Sequence, residues 1–264
     1  MSASLPAVDS ALFRNAALGL LQSLLKSYFM AGRKERVMAV TVRWLGHSAY
    51  SFDIDGRKLL IDPFVSGNPV AKSAAKDLDA EVILLTHAHG DHVGDSVEIA
   101  KRTGALVVCN FEMGDWYMAH GVQNVFQGNP GGTFSNGWMS AKWTVAHHSS
   151  SFPDGTYGGQ PNGFVIRGGG ATIYHAGDTS LFSDMKLIGD EGLDLALLPI
   201  GDCFTMGVDD SIRAISYLNP RLVSPMHYNT FPPIEQDALA WAARVEQDTG
   251  ASAVALEPDG EFSL

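Results

Sequence analysis

With 264 residues, 45% of them hydrophobic, the chain can bury a sizeable core, and one large α/β domain is favoured over two. Its formal charge of −11 at pH 7 argues against nucleic acid as a partner, because phosphate recognition needs basic surface. Two cysteines, Cys109 and Cys203, cannot build a disulfide framework, so a reducing cytoplasm is the expected compartment.

The first segment differs from the rest. Residues 1–37 hold five basic and two acidic residues, and the remainder 13 basic and 27 acidic, so the negative charge lies entirely in the remainder. From about residue 10 to 30, Phe13, Ala17, Leu20, Leu21, Leu24 and Tyr28 recur at helical spacing, with Asn15, Gly19, Gln22 and Lys26 opposite. Arg14 and Lys26 interrupt the apolar stretch, which reads as neither signal peptide nor membrane span. Such a stripe must be covered. Packing on the domain or in a homo-oligomer through residues 10–30 is favoured over contact with a membrane surface, since one short helix binds lipid only marginally. The basic cluster Arg33-Lys34-Glu35-Arg36 would assist the membrane alternative.

Further along, β-rich runs alternate with helical patterns. Strands are expected at Val40 to Trp44, Tyr50 to Ile54, Lys58 to Ile61, Val82 to Leu85, Leu106 to Cys109 and Lys142 to Ala146. Others follow at Phe164 to Arg167, Thr172 to His175, Leu195 to Pro199, Leu222 to Ser224 and Ala253 to Leu256. Helices are expected at about 94–102, 112–119, 209–218 and 235–248. The stretches Gly128 to Gly137 and Phe152 to Gly163 read as long exposed loops, where substrate contacts often lie. Periodicity alone defines an α/β or α+β chain.

The chemistry concentrates at His87-Ala88-His89-Gly90-Asp91-His92, directly after an apolar strand-like run. Core packing requires no such cluster, whereas imidazole nitrogens and a carboxylate suit Zn²⁺ and its first-row neighbours. On extended backbone His87 and His89 share one face, leaving Asp91 and His92 to face a second ion. Other candidates stand where strand patterns end: His148, Asp178 and His227. Asp62 ends the apolar run Leu59-Leu60-Ile61, where an unpaired carboxylate is costly. It is expected to accept the free N–H of a ligand imidazole.

The six-residue cluster fits the His-x-His-x-Asp-His signature, and the chain resembles the metallo-β-lactamase superfamily. Within it, Trp44-Leu45-Gly46-His47-Ser48, Leu60-Ile61-Asp62-Pro63-Phe64, Tyr174-His175-Ala176-Gly177-Asp178-Thr179 and Pro225-Met226-His227-Tyr228-Asn229-Thr230-Phe231-Pro232 resemble a group of metal-dependent hydrolases related to the ascorbate-phosphate lactonases. The resemblance runs from about Met38 to Leu264. It implies a four-layer αββα sandwich over 38–264, with 1–37 as an N-terminal helical extension.

The resemblance further implies that one ion takes His87, His89 and His148, and the other Asp91, His92 and His227, with Asp178 shared between them. His147 adjoins His148 and must point the opposite way on extended backbone, and the family motif favours His148. Asp91 and Asp178 are the expected catalytic carboxylates. His47 and His175 are either substrate or proton-donating contacts or structural histidines, and Asp202 and Thr205 are candidate lining residues.

Two divalent ions, Zn²⁺ by default with Mn²⁺ or Fe²⁺ as alternatives, would generate a hydroxide nucleophile near neutral pH. No Gly-x-Ser-x-Gly nucleophile motif is present, and Cys203 has no evident base beside it. The expected activity is hydrolysis of a small-molecule ester, lactone or amide. A phosphodiesterase of the same fold, or a metal-binding protein without turnover, are the alternatives.

Overall fold

The computed structural model describes residues 40–264, so the expected N-terminal helix lies outside the described residues. Two seven-stranded sheets make up the fold. The first holds β1 (Val40–Gly46), β2 (Ala49–Ile54), β3 (Arg57–Ile61), β4 (Val82–Leu84), β5 (Leu106–Asn110), β6 (Val125–Gly128) and β14 (Glu261–Ser263), in the order β14-β1-β2-β3-β4-β5-β6. The second holds β7 (Thr133–Ser135), β8 (Met139–Val145), β9 (Asn162–Gly168), β10 (Ala171–His175), β11 (Leu195–Pro199), β12 (Leu222–Met226) and β13 (Ser252–Ala253), in the order β13-β12-β11-β10-β9-β8-β7.

Side-chain alternation explains the layering. In β3, Leu59 and Ile61 enter a core shared by both sheets, while Leu60 points the other way into a second core. Likewise Leu84 and Val108 face the shared core, and Ile83, Val107 and Cys109 the second. Strands apolar on both faces read as continuous hydrophobic runs because both faces are covered. Helices α2 (Ser96–Thr103) and α3 (Phe111–Ala119) cover the outer face of the first sheet through Ile99, Met113 and Tyr117. Helices α4 (Met185–Gly189), α5 (Val208–Leu218) and α6 (Ala238–Asp248) contribute Met185, Ile215, Leu218, Trp241 and Val245 around the second sheet. The result is the αββα sandwich.

Local chemistry sets the helix ends. Asn110 Oδ1 accepts from Met113 N at 2.9 Å and starts α3, and Asp237 Oδ1 accepts from Leu239 N and Ala240 N to start α6. Gly104 (φ 75°) and Asn219 (φ 46°) end α2 and α5 in the left-handed region.

Three expectations need correction. Gly128 to Gly137 is not one exposed loop, because β7 lies within it and pairs antiparallel with β8 from Thr133↔Lys142 to Ser135↔Ser140. Phe152 to Gly163 is only partly exposed: Phe152 packs inside, and an isolated bridge joins Ser151 to Tyr157. The strand expected at Ala253 to Leu256 shrinks to β13, and the chain instead returns to the first sheet as β14. Among the described residues, no helix is long and apolar enough to cross a membrane.

Candidate metal centre

The chemistry-bearing side chains gather where β3, β4, β8, β10 and β12 end. After β4 the chain enters a short loop and a one-turn helix, α1 (Gly90–Val93), which together carry His87, His89, Asp91 and His92. The loop after β3 is tied to this segment. Asp95 Oδ2 accepts from Val65 N and Ser66 N at 2.9 and 2.8 Å, and Asp95 N donates to Pro63 O at 2.9 Å. Gly94 (φ 43°) permits the approach, since a Cβ there would meet Phe64 Cα at 2.5 Å.

Asp62 stands behind the histidines. Its Oδ2 is 2.8 Å from His92 Nδ1 and accepts from Thr86 Oγ1 at 2.6 Å, and its Oδ1 accepts from Thr86 N at 2.9 Å. Because the Thr86 hydroxyl proton goes to Asp62, its oxygen accepts from His87 Nδ1 at 3.0 Å. Both imidazoles therefore turn Nε2 toward the centre, where His87 Nε2 lies 3.0 Å from His89 Nδ1.

Asp178 is the hub. Its Oδ2 lies 2.9 Å from His227 Nε2, 3.3 Å from His92 Nε2, 3.6 Å from His148 Nε2 and 4.0 Å from His87 Nε2. Ligand atoms of three groups each lie within 4.8 Å of one another: His87, His89 and His148; His47, Asp91, His92 and His227; and His87, His92 and Asp178. The structure thus brings together all seven residues of the expected set and adds His47 to the second group.

Burial and charge say what this centre would hold. Burial pushes the imidazoles of His87, His89 and His148 down, favouring neutral rings with lone pairs. Burial opposes charge on His92 too, but Asp178 and Asp62 on either side of it raise its pKa well above the ordinary range. Asp178, despite burial, is held well below the usual carboxylate range by His227 and His92. The pocket therefore stabilises positive charge at its middle. His92 Nε2, Asp178 Oδ1 and His227 Nδ1 are buried without hydrogen-bond partners, which is costly for polar atoms in a dry interior. For His92 Nε2 and Asp178 Oδ1, which belong to the hub, a divalent cation would relieve that cost. An all-nitrogen-and-oxygen donor set fits first-row metal ions.

The remaining candidates divide. His47 is buried in the centre, with Nδ1 2.8 Å from Thr230 Oγ1 and Nε2 3.1 Å from Asp91 Oδ2, and burial lowers its pKa to about 4. His147 is exposed and packs edge-on against Phe182, away from the cluster. His175 is a correction to the substrate-contact alternative. It is buried in β10, where Nε2 donates to Ser48 O at 3.0 Å and Nδ1 accepts from Gly177 N at 3.2 Å, so both nitrogens serve the backbone. Asp202 and Thr205 do not line the cleft over the centre; their neighbour Phe204 does.

That cleft has a volume of about 660 Å³. It reaches His89, Asp91, His148, Asp178 and His227, and its walls include Phe152, Pro153, Phe204, Phe231 and Pro233. Sequence reasoning missed these apolar residues, although Phe152 and Pro153 open one of the two loops it marked for substrate. A second cavity, lined by Glu235, Asp237 and Glu257, holds none of the clustered histidines.

Residues 41–227 match the family described as the β-lactamase superfamily domain. Over 221 residues the chain is 54% identical to a metal-dependent hydrolase of Thermus thermophilus, covering 83% of this chain and 96% of that protein. The chain belongs to this family. Another metal-dependent hydrolase of the family, from Methanopyrus kandleri, is 46% identical over 226 residues, covering 84% of this chain and 98% of its own. A metallo hydrolase from Ignicoccus hospitalis has a similar structure, with a TM-score of 0.78 and 35% identity over 85% of this chain and 98% of that one. This protein is accordingly a metal-dependent hydrolase of the metallo-β-lactamase superfamily.

Proposed function

We propose that the protein binds two divalent metal ions and hydrolyses an ester, lactone or amide bond. The observation that carries this reading is Asp178 Oδ2 facing four imidazole nitrogens at 2.9 to 4.0 Å. His87, His89 and His148 would hold one ion and Asp91, His92 and His227 the other, with Asp178 shared. Zinc is the default, and manganese or iron(II) fits the same donors. Bound there, such ions supply a lowered pKa to a water molecule and polarise the oxygen of the bond under attack.

The chain's own residues do the rest. Asp62 and Thr86 hold His92 and His87 in one ring orientation, so the donors need not reorganise. Of the two carboxylates reaching the cleft, the Asp91 side chain is 29% exposed and that of Asp178 2%. Asp91 is therefore the more open of the two carboxylates. Despite burial, its hydrogen bond from His47 and the neighbouring His92 hold it well below the usual carboxylate range, ionised and able to accept.

The cleft lining favours a carbonyl substrate over the phosphodiester alternative. No Lys or Arg is among the described residues that line it, whereas a phosphodiester enters as an anion and gains most from a basic clamp. Direct access from the cleft to the histidines supports turnover over metal storage. Two unpaired thiols, Cys109 buried and Cys203 exposed, support a reducing compartment.

The test is a panel of lactones, esters, amides and phosphodiesters offered to protein loaded separately with Zn²⁺ and Mn²⁺, with metal content measured on each sample. Two metals per chain and turnover of a carbonyl class are expected. One metal per chain, or turnover of phosphodiesters alone, would overturn the reading.

A further inference from the structure

The walls of the cleft are more informative about substrate than its floor. Phe204 is 55% exposed at the cleft, a large apolar surface given to water. Exposure alone would mean little, since Leu239 and Tyr157 are exposed elsewhere. What distinguishes Phe204 is how it is presented. It follows Asp202 (φ 62°) and Cys203 (φ 54°), two consecutive non-glycine residues in the left-handed region, a conformation that costs energy and persists where surroundings enforce it. The enforcement is visible. Asp202 N donates to Met206 O at 3.0 Å, Asp202 Oδ1 accepts from Cys203 N at 2.8 Å, and Met206 N donates to Thr179 O at 3.0 Å. The loop's backbone is thus pinned to the residue following Asp178, which sets Phe204 in the wall of the cleft.

Two further aromatics meet the same cleft from separate segments. Phe231 sits edge-on to His47 with ring centroids 5.7 Å apart. Phe152, 2% exposed, stacks on Trp116 at 4.0 Å, and Trp116 Nε1 donates to Asp154 Oδ2 at 3.1 Å, fixing that wall. Away from the metal-facing donors, the described residues that line it offer only the hydroxyls of Ser149 and Ser151 as polar side chains. A cleft so built gains from burying apolar area, and neutralises no second anionic group.

We propose that the substrate is a neutral ester, lactone or amide carrying an aromatic or compact apolar group, and that Phe204 and Phe231 seat that group. This rests on the hydrolase reading above. In the step, water adds to the acyl carbon and the acyl–oxygen or acyl–nitrogen bond breaks. One proton of the water goes to the leaving atom, and the other is released to solvent as the new carboxylic acid ionises. Phe204 is the specificity residue, because it is exposed before substrate arrives and covered after.

The experiment uses the full chain and two esters of one alcohol, 1-naphthyl butyrate and 1-naphthyl hemisuccinate, which differ by a carboxylate on the acyl chain. Binding of 1-naphthol, a neutral aromatic that cannot be hydrolysed, is measured by calorimetry on the same samples. We expect the neutral ester to be favoured at least about tenfold in kcat/KM, and F204A to raise its KM about tenfold, with most of that loss absent in F204L. F204A should weaken 1-naphthol binding by about the same factor with metal content and Tm unchanged. Preference for the hemisuccinate, or unaltered 1-naphthol binding in F204A, overturns the inference. Failure of either ester to turn over in metal-replete protein counts instead against the hydrolase reading, while 1-naphthol binding still decides the aromatic seat.

Discussion

His47 Nε2 lies 3.1 Å from Asp91 Oδ2, and its Nδ1 lies 2.8 Å from Thr230 Oγ1. An ionised carboxylate only accepts, so the neutral ring donates from Nε2 and receives the threonine hydroxyl at Nδ1. Asp91 is thereby held by a residue from the β1–β2 turn, which is itself held by Thr230 from the segment after β12. His47 itself has φ 56°, a conformation that asparagine also tolerates. His47→Asn should preserve the fold yet lower affinity for one of the two metals by roughly tenfold, the usual cost of losing an orienting partner. Titration with a metal chelator of known affinity checks this; unchanged affinity at both sites would make His47 a packing residue.

His148 and His147 provide a paired control. His148 Nε2 is 3.6 Å from Asp178 Oδ2, while His147 is exposed against Phe182. His148→Ala is expected to remove about one metal per chain with the activity. His147→Ala should retain both metals and stay within about twofold of the parent. Elemental analysis beside a single turnover assay separates them.

At Asp62 the carboxylate serves His92, Thr86 N and the Thr86 hydroxyl together. Asp62→Asn keeps the volume but offers one acceptor oxygen instead of two. The expected outcome is a 10- to 100-fold loss of metal affinity and a Tm reduced by a few degrees, corresponding to about 1–3 kcal/mol for buried donors left unpaired. A loss of Tm that excess metal fails to restore would assign Asp62 to the fold alone.

Residues 1–37 lie outside the described part of the chain, while residues 41–227 carry the family match. Deleting residues 1–37 should leave metal content and kcat within about twofold and should lower the mass measured by light scattering if the apolar stripe joins two copies. Liposome flotation of the full chain tests the membrane alternative. Loss of bound metal from the truncated protein would show that the segment supports the centre.

How far the chain was legible depended on how local each signal is. Four of the clustered donors fall within six residues, so His87, His89, Asp91 and His92 stand out on sequence. His148, Asp178 and His227 each end a separate strand and came forward as a set only through resemblance. Phe204 carries no mark at all and Phe231 stood only inside a motif of the resemblance, because what matters is the strained backbone that presents one and the cleft that surrounds the other. His175 looked close to the centre by sequence, three residues before Asp178. Gly177, at φ 60°, turns the chain between them, and His175 remains inside the sheet bonded to backbone. The missed strands β6, β7 and β14 are only four, three and three residues long, and the partner of β14 lies more than two hundred residues away, beyond any window of periodicity.

That distant pairing orders events in time. Thr41, Val42 and Arg43 meet Ser263, Phe262 and Glu261, and Leu264 N donates to Val40 O at 2.9 Å. During synthesis from the N-terminal side, β1 emerges early and its outer hydrogen-bonding edge waits while more than two hundred further residues are made. His227 emerges late as well, so the donor set is incomplete on a partly made chain. Closing the first sheet and completing the centre therefore belong to the same late stage of translation, and the newborn chain must be kept from pairing its open edge with a neighbour until then.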